Sequence, residues 1–179
     1  MTYGLLAAWT VHDLEEVLTF GRFSRTTVPR LRERLPAVPD RVWRRLESTR
    51  TEEFATAVAI VGVLMATAST AGRASGGRSR YFQLMLAGFG LHAIGHVASA
   101  VVTRGYTPGL VTSTIIAAPF AVWARGQLKE AGVWRPISAD DTLPGAALAL
   151  AVFGGSHTLA RALMQARRPA RAGVTTTGP

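Results

Sequence analysis

A histidine and two glutamates crowd the start of this chain, in the stretch Val11-His12-Asp13-Leu14-Glu15-Glu16. The residues on either side, Tyr3 to Thr10 and Val17 to Phe20, carry no charge. On a helix, residues three and four apart share a face. His12 therefore groups with Glu15 and Glu16, and Asp13 points elsewhere. A second pair with the same spacing is His92 and His96. Two carboxylates and two or three imidazoles suit a borderline divalent metal such as zinc, iron or manganese. Without a cation, two carboxylates on one face repel, and one of them holds a proton. His-x-x-Glu-Glu reverses the Glu-x-x-His order of two-metal helical bundles. It is also not the His-Glu-x-x-His pattern of zinc proteases. The ligand candidates are thus His12, Glu15, Glu16, His92 and His96. Glu15 or Glu16 could act as a general base, and Tyr106 could turn its hydroxyl toward them. His157 and Arg104 are further candidates, the first as a ligand and the second for an anionic head group or substrate.

These groups need elements to hold them. The chain has 179 residues and no cysteine, which excludes disulfides, zinc–thiolate sites and thiol chemistry. Hydrophobic residues make up 48% of the chain and charged residues 17%, below the usual ~25%. The net charge of +9 would suit nucleic acid if it were spread over a soluble fold. It lies instead between long uncharged runs, which argues against nucleic acid and for basic loops between membrane spans.

Five runs approach the ~20 residues that a spanning helix needs. They cover about residues 2–20, 54–72, 81–103, 105–124 and 143–164. The predicted fold is therefore all-α: a polytopic membrane bundle of about five transmembrane helices forming one domain over 1–168, followed by a disordered tail at 169–179. The segment from Gly21 to Glu53 is basic and broken by Pro29, Pro36 and Pro39. Its piece from Asp40 to Glu52 reads as an amphipathic helix with Asp40 as N-cap and Val42, Trp43 and Leu46 on one side, suited to a membrane surface. Most Arg and Lys residues fall after the first and third runs and in the tail, including Arg167, Arg168 and Arg171. By the positive-inside rule the N-terminus lies outside and the C-terminus in the cytoplasm of a bacterial inner membrane.

Runs one, three and five point the same way. Counted at ~1.5 Å per residue from the outer end, His12, Glu16, His92, His96 and His157 fall in one layer, from mid-bilayer to the cytoplasmic half. Ionisable groups at that depth normally face a bundle interior and are paired. Gly88, Gly95 and Ser99 lie near the histidine side of run three, where small residues allow close helix packing. Pro108 in Tyr106-Thr107-Pro108-Gly109 suits the first turn of a span, and Gly109 allows close backbone approach.

The His-x-x-Glu-Glu segment, a later intramembrane histidine and Tyr106-Thr107-Pro108-Gly109 together resemble the HXXEE-motif family of small bacterial integral-membrane proteins, over roughly residues 5–125. The resemblance implies a shared site. It implies no activity, since the family has no settled biochemical function.

The expected function is a metal-dependent integral-membrane enzyme acting on a lipophilic substrate, by hydrolysis, oxidation or isomerisation and cyclisation. Two alternatives use the same polar layer. One is a small proton or metal-ion transporter. The other is a metal-free acid–base enzyme or a structural membrane protein.

Overall fold

The computed structural model describes residues 1–166. The tail at 169–179, the domain end at 168, and Arg167, Arg168 and Arg171 lie outside the described residues. The described chain is all-α.

Helix α1 runs Thr2–Thr26. Leu5, Ala8, Trp9, His12, Asp13, Glu16, Phe20 and Ser24 are its buried residues, the i, i+3, i+4 stripe of a helix with one packed face. Asp13 is therefore not on a solvent face. It is 6% exposed, and its Oδ2 has no hydrogen-bond partner among the described residues. Helices α2 (Val28–Arg34) and α3 (Asp40–Ser48) form a short basic hairpin. Helices α4 (Thr51–Ala74) and α5 (Arg80–Thr103) follow. Next comes a helical segment built of α6 (Leu110–Thr112), a π-helical turn (Ser113–Ala117) and α7 (Ala118–Glu130). The last segment is α8 (Thr142–Leu150), a second π turn (Ala151–Gly155) and α9 (Ser156–Ala166).

Helix α4 is the central post. It packs against α1, α5 and α9, while α5 also packs against α6 and α7. The main core joins Leu5 and Trp9 of α1, Met65 and Ala68 of α4, Phe82, Leu86 and Phe89 of α5, and Leu128 of α7. Of these helices, α4 and α5 are each long and apolar enough to cross a membrane. Helix α1 is long enough, but it carries His12, Asp13, Glu15 and Glu16 in its middle and Arg22 and Arg25 near its end.

Two local expectations change and a third narrows. Asp40 is the first residue of α3 rather than its cap, which is Pro39. Its carboxylate pairs with Arg32 of α2 at 2.9 Å. Trp43 is buried with Val28 and Leu31 of α2, so the hairpin partner covers part of the apolar side of α3, while Val42 stays exposed. Pro108 stands before α6, whose N-cap is Gly109, so it shapes the preceding turn.

The two ends of the bundle are tied by charge. At one end, buried Glu53 of α4 accepts from Arg45 of α3 (3.0 Å) and Arg161 of α9 (3.3 Å). Arg34 there donates to the Thr103 carbonyl at the end of α5 (3.3 Å). At the other end Arg80 holds Asp141 and the carbonyls of Arg135 and Pro136. The buried Gln83 amide donates to the Gly77 and Val133 carbonyls and accepts from the Arg135 N–H. Arg80 holds the Asp141 carboxyl far below its ordinary value of 3.8. A depressed carboxyl stabilises the fold above the unfolded value, and that contribution is lost as pH falls below it. Asp141→Asn should therefore speed amide exchange across residues 135–142 near neutral pH. The difference from wild type should vanish in acid, starting below about pH 4. Equal exchange rates at neutral pH would show that the pair does not hold this end.

Candidate metal centre

Two helices supply the cluster. His12 and Glu16 lie one turn apart on the buried face of α1, and His92 and His96 lie one turn apart on α5. One ligand atom from each of the four residues falls within 4.8 Å of all the others. Glu16 Oε1 is the hub. It lies 2.7 Å from His96 Nε2, 3.6 Å from His92 Nε2 and 3.6 Å from His12 Nε2. His92 and His96 meet through their Nε2 atoms at 2.9 Å. The three rings are mutually edge-on, and Phe89 closes the His12 side with its centroid 5.7 Å away.

This set fits a divalent ion. Nitrogen and oxygen ligands of a tetrahedral zinc sit at about 2.0–2.1 Å, so neighbouring ligand atoms stand about 3.3 Å apart. The three separations from Glu16 Oε1, 2.7 to 3.6 Å, bracket that edge, and all four ligand atoms lie within 4.8 Å of one another. His12 is fully buried, yet its Nε2 has no hydrogen-bond partner among the described residues. A buried nitrogen without a partner is costly, and an ion bound to it would remove the cost.

The two glutamates separate. Successive helical residues are turned by roughly 100°, so Glu15 leaves the cluster and faces the start of α6. Its Oε1 accepts from the Tyr106 hydroxyl (2.6 Å) and the Val111 N–H (3.3 Å). Its Oε2 accepts from the Thr112 N–H (2.7 Å) and the Thr112 hydroxyl (2.6 Å). The Val111 and Thr112 N–H groups are free donors of a helix start, which a carboxylate satisfies well. Glu15 is therefore outside the four-residue group, although the sequence places it among the ligands. Tyr106 reaches the site through Glu15.

The turn Tyr106–Gly109 roofs the cluster. Gly109 has φ +79°, a conformation that favours glycine. A Cβ built there would lie 2.8 Å from His12 Cε1, 2.9 Å from Glu16 Oε1 and 2.9 Å from His96 Cε1. Below that roof Thr112 Oγ1 meets His12 Nδ1 at 2.9 Å. Thr112 is a site residue that sequence reasoning missed. Nothing in its residue type or spacing sets it apart from the other threonines of the chain.

A family model described as "Protein of unknown function with HXXEE motif" matches residues 3–124 of the chain. The chain belongs to the HXXEE family. The matched region contains the whole cluster together with Glu15, Tyr106, Gly109 and Thr112, so the HXXEE signature and this site coincide. No curated protein and no solved structure matches the chain.

Two candidates stand apart from this HXXEE site. His157 lies on α9 beyond the matched region, with its ring 6.0 Å from that of Phe54, and is not in the four-residue group. Arg104 caps the end of α5 with φ +51° and is exposed. Gly88 and Gly95 also depart from expectation. A Cβ at either would meet nothing within 4 Å, so among the described residues no helix packs closely on them.

Proposed function

We propose that this HXXEE protein is an integral-membrane, metal-dependent enzyme that acts on a lipophilic substrate, with the metal held by His12, Glu16, His92 and His96. The convergence of three Nε2 atoms on Glu16 Oε1 carries the proposal. A bound zinc, iron or manganese ion would supply Lewis-acid chemistry there. The protein's own groups orient the ligands, exclude water through the Gly109 roof and keep a carboxylate, Glu16, next to the reacting region.

The exposed apolar residues support membrane embedding of all five long helical segments. Leu18 of α1, Val63 of α4, Leu91 and Val101 of α5, Val122 of α7 and Leu143 and Leu150 of α8 are all more than half exposed. Water does not favour so many outward-facing aliphatic side chains, and a bilayer does. The charged ties agree with alternating spans. The basic α2–α3 hairpin, the end of α5 and Arg161 of α9 meet at one end, and the positive-inside rule places that end in the cytoplasm. His92 is the cluster member most open to the outside, with its side chain 27% exposed. Leu91, Gly88 and Gly95 are exposed beside it on α5. A lipophilic molecule could reach the cluster sideways along that small-residue face, without passing through water.

Elemental mass spectrometry on detergent-purified protein tests the metal. Wild type should carry close to one ion per chain, and folded His96→Ala should carry almost none. A well-folded wild type that stays empty after loading with zinc, iron or manganese would overturn the metal reading.

A further inference from the structure

The hydrogen bonds around Glu15 have a direction, and that direction reaches the cluster. An ionised carboxylate only accepts, and it has about four lone-pair sites. Glu15 receives four donors: Tyr106 Oη–H, the Val111 and Thr112 N–H groups and the Thr112 hydroxyl. All four sites are filled, which leaves no place for a proton of its own. The Thr112 hydroxyl has one hydrogen, and at 2.6 Å from Oε2 that hydrogen belongs to the Glu15 bond. Toward His12 Nδ1, 2.9 Å away, Thr112 Oγ1 can then only accept. Nδ1 must carry the imidazole proton, and in a neutral ring Nε2 is left with its lone pair. That lone pair is on the nitrogen that faces Glu16 and has no hydrogen-bond partner.

We infer that Glu15 is a positioning residue. Acting through the Thr112 hydroxyl, it fixes His12 as the Nδ1–H tautomer and so presents Nε2 as a metal ligand. A metal-bound histidine generally has its other nitrogen held by a hydrogen-bond acceptor in this way. Here the acceptor is a threonine on another helix, itself oriented by the carboxylate three residues along from the histidine. The two glutamates of the motif divide the work: Glu16 belongs to the cluster, and Glu15 sets the protonation pattern of His12. Glu15 also binds the Tyr106 hydroxyl and the start of α6, so the same contact holds the Gly109 roof in place.

The test is nitrogen NMR of 15N-histidine-labelled, metal-free protein, with His12 assigned by its loss in His12→Gln. In wild type, His12 should show a protonated Nδ1 and an unprotonated Nε2. In Thr112→Val, which keeps the shape and removes the hydroxyl, the proton should move to Nε2, where it can face Glu16. Thr112→Ser should restore the wild-type pattern. A protonated Nε2 in wild type, or an unchanged pattern in folded Thr112→Val, would overturn the inference, and the wild-type spectrum decides even where that variant fails to fold. A second readout rests on the metal reading proposed above: zinc affinity should fall about 10- to 100-fold in Thr112→Val and in Glu15→Ala and return in Thr112→Ser. Cobalt-loaded Glu15→Ala should keep the wild-type ligand-field spectrum, whereas loss of a true ligand would change it. An altered spectrum in that variant would make Glu15 a ligand and sink the positioning role. If the nitrogen pattern holds but no metal binds, the metal reading fails and the relay stands. If metal binds but the pattern ignores Thr112, the reverse is true.

Discussion

Gly109→Ala is expected to empty the metal site while leaving the helices in place. Two costs add. The residue sits at φ +79°, and a left-handed conformation costs an L-residue roughly 1–2 kcal/mol. The new methyl would also lie under 3 Å from His12, Glu16 and His96 at once. None of these can step back freely, because His12 is tied to Thr112 and the three side chains crowd one another. Either the roof lifts and water enters, or the rings turn and the Nε2 atoms diverge. Both outcomes separate the ligand atoms, and metal affinity should fall at least about 100-fold, close to 3 kcal/mol. Gly95→Ala is the matched control. It lies next to His96 in sequence, yet its added Cβ meets nothing within 4 Å, and its metal content should equal that of wild type. Equilibrium dialysis with zinc compares the two, and circular dichroism checks the helices. Wild-type affinity in Gly109→Ala would show that the turn does not roof the cluster.

How far the sequence led can be read from the same residues. The i, i+4 rule correctly paired His12 with Glu16 and His92 with His96, because helical geometry alone decides which residues share a face. The common depth of the two pairs pointed to their meeting, and α1 and α5 do bring them together. The sequence rule puts Glu15 on the same face too, because i+3 and i+4 both count as neighbours. Which of the two turns inward depends on what lies across the gap. The partners of Glu15 are mostly the backbone N–H groups and hydroxyl at the start of α6, and no residue type announces a free N–H group. Thr112 was silent for the same reason: one threonine in an apolar run looks like any other. Gly109 was visible as a residue suited to close approach, but not the three side chains it approaches. The apolar face of α3 is a different case. Its periodicity was real, but a pattern cannot say whether a bilayer or a neighbouring helix covers it, and here α2 covers Trp43. Gly88 and Gly95 erred in the opposite sense, since small residues permit close packing without requiring it.

Glu16→Gln should remove metal-dependent stabilisation altogether, and this is the sharpest way to separate a metal centre from a helix lock. A ligand that binds only the folded protein stabilises it by about 2.7 kcal/mol at 100 times Kd. Zinc at that excess should therefore raise the unfolding temperature of wild type in detergent. Glutamine keeps the size of the side chain, and its carbonyl oxygen can still accept from His96, which lies 2.7 Å from Oε1 in wild type. The metal-free fold should survive. The dication, however, loses the anionic member of its ligand set. Losing one partner of a buried charge pair costs about 3–5 kcal/mol, which lowers affinity by at least about a hundredfold. Zinc at the same concentration should then leave the melting curve of Glu16→Gln almost unmoved. A helix lock predicts otherwise. Wild type would be indifferent to zinc, and Glu16→Gln would melt lower with or without it, because what is lost would be the contact between α1 and α5 through His92 and His96. An equal zinc-induced shift in both proteins would place the metal elsewhere and remove Glu16 from the site. The three patterns do not overlap, so two pairs of melting curves, wild type and Glu16→Gln each with and without zinc, decide among them.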